Sequence, residues 1–89
     1  MRLLDAPATV TLTRDGHPAA VAWRDPRDPP RAKPRPRRVT VIIDTWRYDG
    51  RWWEEHELHR DYYLIELDGS VQAEVYRQDG RWWVARVSD

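Results

Sequence analysis

Cysteine is absent, so no disulfide staples this chain and no thiolate can hold a metal. Phenylalanine is absent too, and methionine occurs once. The core must come from small aliphatics and from six Trp and four Tyr, each burying ~150–250 Å². Lysine occurs once, as Lys33, against fourteen Arg, a bias that reflects a GC-rich coding genome rather than a function. No apolar run approaches the ~20 residues of a membrane span. The stretch from Met1 to Pro7 lacks the apolar run of a signal peptide. These absences lead us to expect a soluble, cytoplasmic bacterial protein with no membrane association. No proline follows Pro36, so the second half of the chain is free to pair its backbone.

Net charge is zero over 89 residues, which makes the whole chain a poor general polyanion binder. The charge is unevenly spread, however. Arg24 to Arg38 holds seven basic and two acidic residues, +5, whereas Val39 to Asp89 holds six Arg and eleven acids, −5. The plainer expectation is that folding brings the two halves together. The functional one is that the basic segment meets a polyanion.

Glycine is scarce and patterned. All four (Gly16, Gly50, Gly69, Gly80) follow an aspartate. Asp-Gly between apolar runs is a strong hairpin signal, because a type I′ turn needs positive φ at both central residues. Four such turns predict an antiparallel meander. Around them lie apolar alternations typical of half-buried strands. Val10 and Leu12 share a face, as do Ala19, Val21 and Trp23. Val39, Val41 and Ile43 face one way, with Ile42 and Trp46 opposite. Tyr63, Ile65 and Leu67 form a further set, then Val71, Ala73 and Val75, then Trp83, Ala85 and Val87. Residues 54–60 read as a polar loop or a single helical turn. Residues 25–37 form a proline- and arginine-rich connector, stiff and partly disordered. The expectation is one all-β domain over 1–89: a strongly bent antiparallel meander or small SH3-like barrel of about six strands with Asp-Gly turns.

One phrase occurs twice. Asp49-Gly50-Arg51-Trp52-Trp53 returns thirty residues later as Asp79-Gly80-Arg81-Trp82-Trp83. Neighbouring side chains in a strand point to opposite faces, so one Trp of each pair enters the core and the other stays outside. Register with Ala85 and Val87 puts Trp83 inside and Trp82 outside, joined on the outer face by Tyr76, Tyr62, Trp46 and Trp52. Such aromatics most often stabilise a sheet by cross-strand pairing. Left exposed with Arg47 and Arg77 beside them, they make a docking surface for a protein, including a second copy of the chain. An alternative is single-stranded nucleic acid, held by Arg35, Arg37 and Arg38 with the same aromatics.

No catalytic constellation is recognisable: Ser70 and Ser88 stand far from any histidine, and no phosphate-binding glycine loop exists. His56 and His59 could share a metal on a helical turn, but a solvated loop is the commoner outcome, so neither cofactor nor metal is expected. The ordered pieces Pro18 to Arg24, Trp46-Arg47 before Trp52-Trp53, Arg60-Asp61-Tyr62-Tyr63, and Glu74 to Arg77 before Gly80 to Trp83 do resemble a known pattern. It is that of the C-terminal region of Y-family polymerase-like mutagenesis accessory proteins of the ImuB type, and of small stand-alone bacterial domains of unknown function. The resemblance implies a non-enzymatic interaction module acting in DNA repair or translesion mutagenesis. It implies DNA polymerase or other mutagenesis components as partners. The polymerase-like core of that family is missing here, and no catalytic residue carries over.

Overall fold

In a computed structural model, which describes residues 2–51 and 57–88, the chain forms six antiparallel strands and, among those residues, no helix. The strands are β1 (Arg2–Leu12), β2 (Pro18–Trp23), β3 (Arg37–Arg51), β4 (Glu57–Leu67), β5 (Val71–Gln78) and β6 (Arg81–Ser88). Each pairs with its neighbour in sequence, and β1 pairs back onto β6, which closes a small barrel. The expected all-β barrel of about six strands is what the chain adopts. No helix among the described residues is long and apolar enough to cross a membrane.

Closure falls to β1. Its first half pairs with β6 (Arg2↔Val87 to Ala8↔Trp82) and its second half with β2 (Ala8↔Trp23 to Leu12↔Pro18). Pro7, which has no N–H to donate, sits at this handover. The six largest side chains that fill the barrel with almost no exposure are Val21, Ile65, Leu67, Val75, Val84 and Val87. Leu4, Ala6, Ala8, Val10, Val39, Ile42, Tyr63, Val71 and Trp82 pack round them. The regular alternation of β4 and β5 puts Ile65, Leu67, Ala73 and Val75 inside, as their sequence pattern predicts.

The other strands are bulged, and bulges change phase. A β-bulge sets two residues against one, bends the strand and turns the following side chains to the opposite face. In β3, Val39 faces Leu67 and Val41 faces Glu66, so Thr40 is extra. Ile42 then faces Ile65 and Asp44 faces Leu64, so Ile43 is extra as well. The Thr40 hydroxyl donates to the Glu66 carbonyl at 3.1 Å. Val39 and Ile42 therefore face the core, while Val41 and Ile43 are exposed. This corrects the expected grouping of Val39, Val41 and Ile43. In β6, Glu74 pairs with Arg86 and Val75 with Val84, leaving Ala85 extra. Trp82 and Val84 thus point inward with Val87, and Trp83 points outward, the reverse of the expected assignment. Leu12, beyond a register shift at Thr11, is exposed and does not share the partly buried, core-packed setting of Val10.

Three of the four Asp-Gly pairs make turns. Asp79 and Gly80 have φ of 53° and 75° between the paired residues Gln78 and Arg81, which is the two-residue loop that a type I′ turn requires. The Gly16 and Gly69 turns close loops of one residue more. Asp49-Gly50 is no turn. Both residues lie inside β3, where Asp49 pairs with His59 and Gly50 with Leu58. Residues 57–60, expected as loop or helical turn, are the opening of β4. Within the connector, the Asp28 N–H donates to the Asp25 carbonyl and the Ala32 N–H to the Pro29 carbonyl, both at 2.9 Å. Arg24 further ties it down through the Pro30 carbonyl.

Candidate docking surface

The register Trp46↔Tyr62↔Tyr76↔Trp83 lines four rings across the outer faces of β3, β4, β5 and β6. Trp46 stacks on Tyr62 with centroids 5.2 Å apart and planes 2° from parallel. Tyr62 meets Tyr76 at 5.2 Å, and Tyr76 meets Trp83 at 6.4 Å. Pro7 of β1 lies opposite Trp83 and ends the row. Arg60 locks its middle. Its guanidinium carbon is 4.5 Å from the Tyr76 ring centre. Its NH1 donates to the Tyr62 hydroxyl at 3.1 Å and its Nε to Gln78 Oε1 at 2.8 Å. Tyr76 is left only 6% exposed, and that burial pushes its phenol pKa up. The inner rings of the row thus hold the sheet together, and Trp46 is its open end.

β3 continues the surface. Among the described residues, six large hydrophobic side chains are exposed, and four lie on this strand: Val41, Ile43, Trp46 and Tyr48, each 39–50% exposed. Tyr48 follows Trp46 by two residues, hence on the same face. Its ring folds over Gly50, where a Cβ would come within 2.7 Å of it. The strand also has a free edge. Pairing between β2 and β3 comprises Ala20↔Arg38 and Val21↔Arg37, whereas β3 pairs with β4 from Val39 to Arg51. From Val39 onward the other edge of β3 has no strand partner among the described residues.

The inner side of the same barrel end is charged. Arg77 lies 5.9 Å from the Trp82 ring centre and 4.0 Å from Asp61. Trp82 packs on Tyr63 at 5.5 Å, and His17 meets Tyr63 edge-on at 6.3 Å. Further out, Asp49 accepts from Arg47 at 3.1 Å and contacts His59 Nδ1 at 2.5 Å. The His59 hydrogen bond, helped by Arg47, lowers the Asp49 pKa. No group of three or more His, Asp or Glu among the described residues is placed to hold a metal. His59 extends from a strand, not from the helical turn that sharing a metal with His56 requires.

The residues expected to bind a partner therefore separate. Trp46, Tyr62 and Tyr76 share the outer row, but only Trp46 is widely exposed. Trp83 takes the place expected of Trp82. Arg47 and Arg77 are tied to acids on the other face. Trp52, with Trp53 and His56, lies outside the described residues. Val41, Ile43 and Tyr48 join the surface without having been expected there, and only the spacing of Tyr48 from Trp46 could have signalled one of them.

No family model, curated protein or solved structure matches this chain.

The three Arg expected to hold nucleic acid lie elsewhere. Arg35 and Arg37 line a cavity at the opposite barrel end, with the Arg37 guanidinium 5.5 Å from the Trp23 ring centre. Arg38, next to Arg37 in β3, projects to the other face and is not part of that lining. Nine residues of strand separate Arg37 from Trp46, roughly 25–30 Å at ~3.3 Å per residue.

Proposed function

We propose that the protein is a non-enzymatic interaction module that docks a partner protein along β3. The observation that carries this reading is the coincidence on one strand of the free edge and four exposed apolar side chains. An extended partner segment can add to such an edge through backbone hydrogen bonds, its alternate side chains resting on Val41, Ile43, Trp46 and Tyr48. Bulges at Thr40 and Ile43 break the regular edge. That break disfavours open-ended pairing of identical copies and favours one shaped partner over a homodimer. The resemblance to mutagenesis accessory proteins supports a DNA-repair setting, with polymerase or mutagenesis components as the partner sought. Single-stranded nucleic acid gains less support, because Arg35, Arg37 and Arg38 lie at the opposite end of the barrel from the aromatic row.

The test is affinity capture from the source cell with wild type and with Val41→Lys/Ile43→Lys, followed by a binary titration of whatever wild type recovers. Val41 and Ile43 are 49% and 44% exposed, so the variant is expected to keep its fold, which circular dichroism checks. The reading requires the binary affinity to fall at least about tenfold. An unchanged affinity sinks it.

A further inference from the structure

We infer that the cavity beneath the connector binds an organic phosphate monoester. The cavity measures about 800 Å³, inside the ~300–1,000 Å³ range of small-molecule sites. Trp23, Val71 and Val87 give it an apolar wall, and Lys33, Arg35 and Arg37 supply cations. None of these three cations makes an ion pair among the described residues, and Lys33 and Arg35 are exposed. The acids in the lining are engaged within the connector. Asp25 Oδ1 accepts the Arg27 N–H at 2.9 Å and meets its guanidinium at 3.6 Å, and Asp28 Oδ2 accepts the Asp25 N–H at 3.2 Å. Four basic and two acidic side chains leave the lining at +2.

Bringing like charges together round a cavity costs energy unless an anion joins them. A phosphate monoester carries about −1.5 to −2 at neutral pH, which matches that excess better than a single carboxylate. Arg presents a planar fork of donors to phosphate oxygens, and Lys adds a point charge. The cavity is far larger than an inorganic phosphate, and its apolar wall accounts for an organic body. Trp23 supplies the reporter. Arg37 lies over its ring, and its Nε1 is buried without a hydrogen-bond acceptor. An anion that draws Arg37 away must change the environment of this indole N–H. The site is distinct from the β3 surface, so it stands or falls independently of the docking proposal.

The experiment is an amide and indole NMR titration of the full chain with adenosine 5′-monophosphate, adenosine and inorganic phosphate, the Trp23 indole signal being assigned through Trp23→Phe. The monophosphate is expected to shift the Trp23 indole and the amides of Arg31, Ala32, Lys33, Arg35 and Arg37. In Lys33→Gln/Arg35→Gln, which alters only exposed side chains, binding weakens about tenfold or more, as loss of charge-assisted hydrogen bonds requires. Adenosine alone leaves the spectrum unchanged. Three results overturn the proposal: no shift with the monophosphate, equal binding by the double variant, or equal affinity for inorganic phosphate, which would mean an adventitious ion only.

Discussion

The Trp46 indole lies flat on the Tyr62 ring, 2° from parallel, and joins the exposed face of β3 to the aromatic row running round the barrel. A cross-strand aromatic pair is worth about 0.5–1.5 kcal/mol beyond the area it buries. A double-mutant cycle on Trp46→Ala and Tyr62→Ala, read by urea denaturation, is expected to give a coupling in that range. Tyr76→Ala removes the nearly buried centre of the row and is expected to cost about 3–5 kcal/mol. A coupling near zero would show that the two rings merely lie side by side.

The bulges make a sharper prediction, and the lack of native cysteine makes it easy to check. Single cysteines at Val41 and Ile43 are expected to react with a thiol reagent at close to the unfolded-peptide rate. Ile42→Cys, packed against the core, is expected to react many times more slowly. Equal protection at 41 and 43 would restore the regular alternation and remove both bulges.

The two copies of Asp-Gly-Arg-Trp-Trp should respond differently to the same substitution. Gly80→Ala forces a side chain onto a φ of +75° and is expected to cost about 1–2 kcal/mol. Gly50→Ala meets only the movable end of the Tyr48 ring, so it is expected to shift the Tyr48 resonances with a smaller loss of stability. Thermal unfolding with aromatic NMR distinguishes the two.

Acid should act through Asp49. Its pKa is below the ordinary 3.8 because His59 hydrogen-bonds its carboxylate. The folded state therefore holds this proton less tightly than the unfolded chain. The resulting stabilisation is complete above pH 3.8 and is lost as pH falls through the lower folded value. Asp49→Asn removes the contribution, so the melting temperatures of variant and wild type are expected to converge as pH drops below 4.

What could be read from the sequence was local. A two-residue turn specifies itself, so Asp79-Gly80 was legible. The unbroken alternation of β4 and β5 likewise showed which of their residues fill the barrel. The phases of β3 and β6 were not legible, because Thr40, Ile43 and Ala85 carry no mark of a bulge. Their bulges answer to barrel closure, a requirement of the whole sheet. The same cause exchanged Trp82 and Trp83. Asp49-Gly50 shows the converse: a strong local turn signal overridden by a long pairing with β4. The aromatic row was foreseen in Trp46, Tyr62 and Tyr76. The β3 edge was not, since it depends on where β2 stops pairing.

Amide hydrogen exchange over Thr40–Tyr48, with and without the captured partner, tests the docking proposal most directly. If the partner adds a strand to the barrel, β3 amides that point away from β4 exchange slowly only in the complex. Protection confined to β5 and β6, or to the connector, with β3 unchanged, would contradict it.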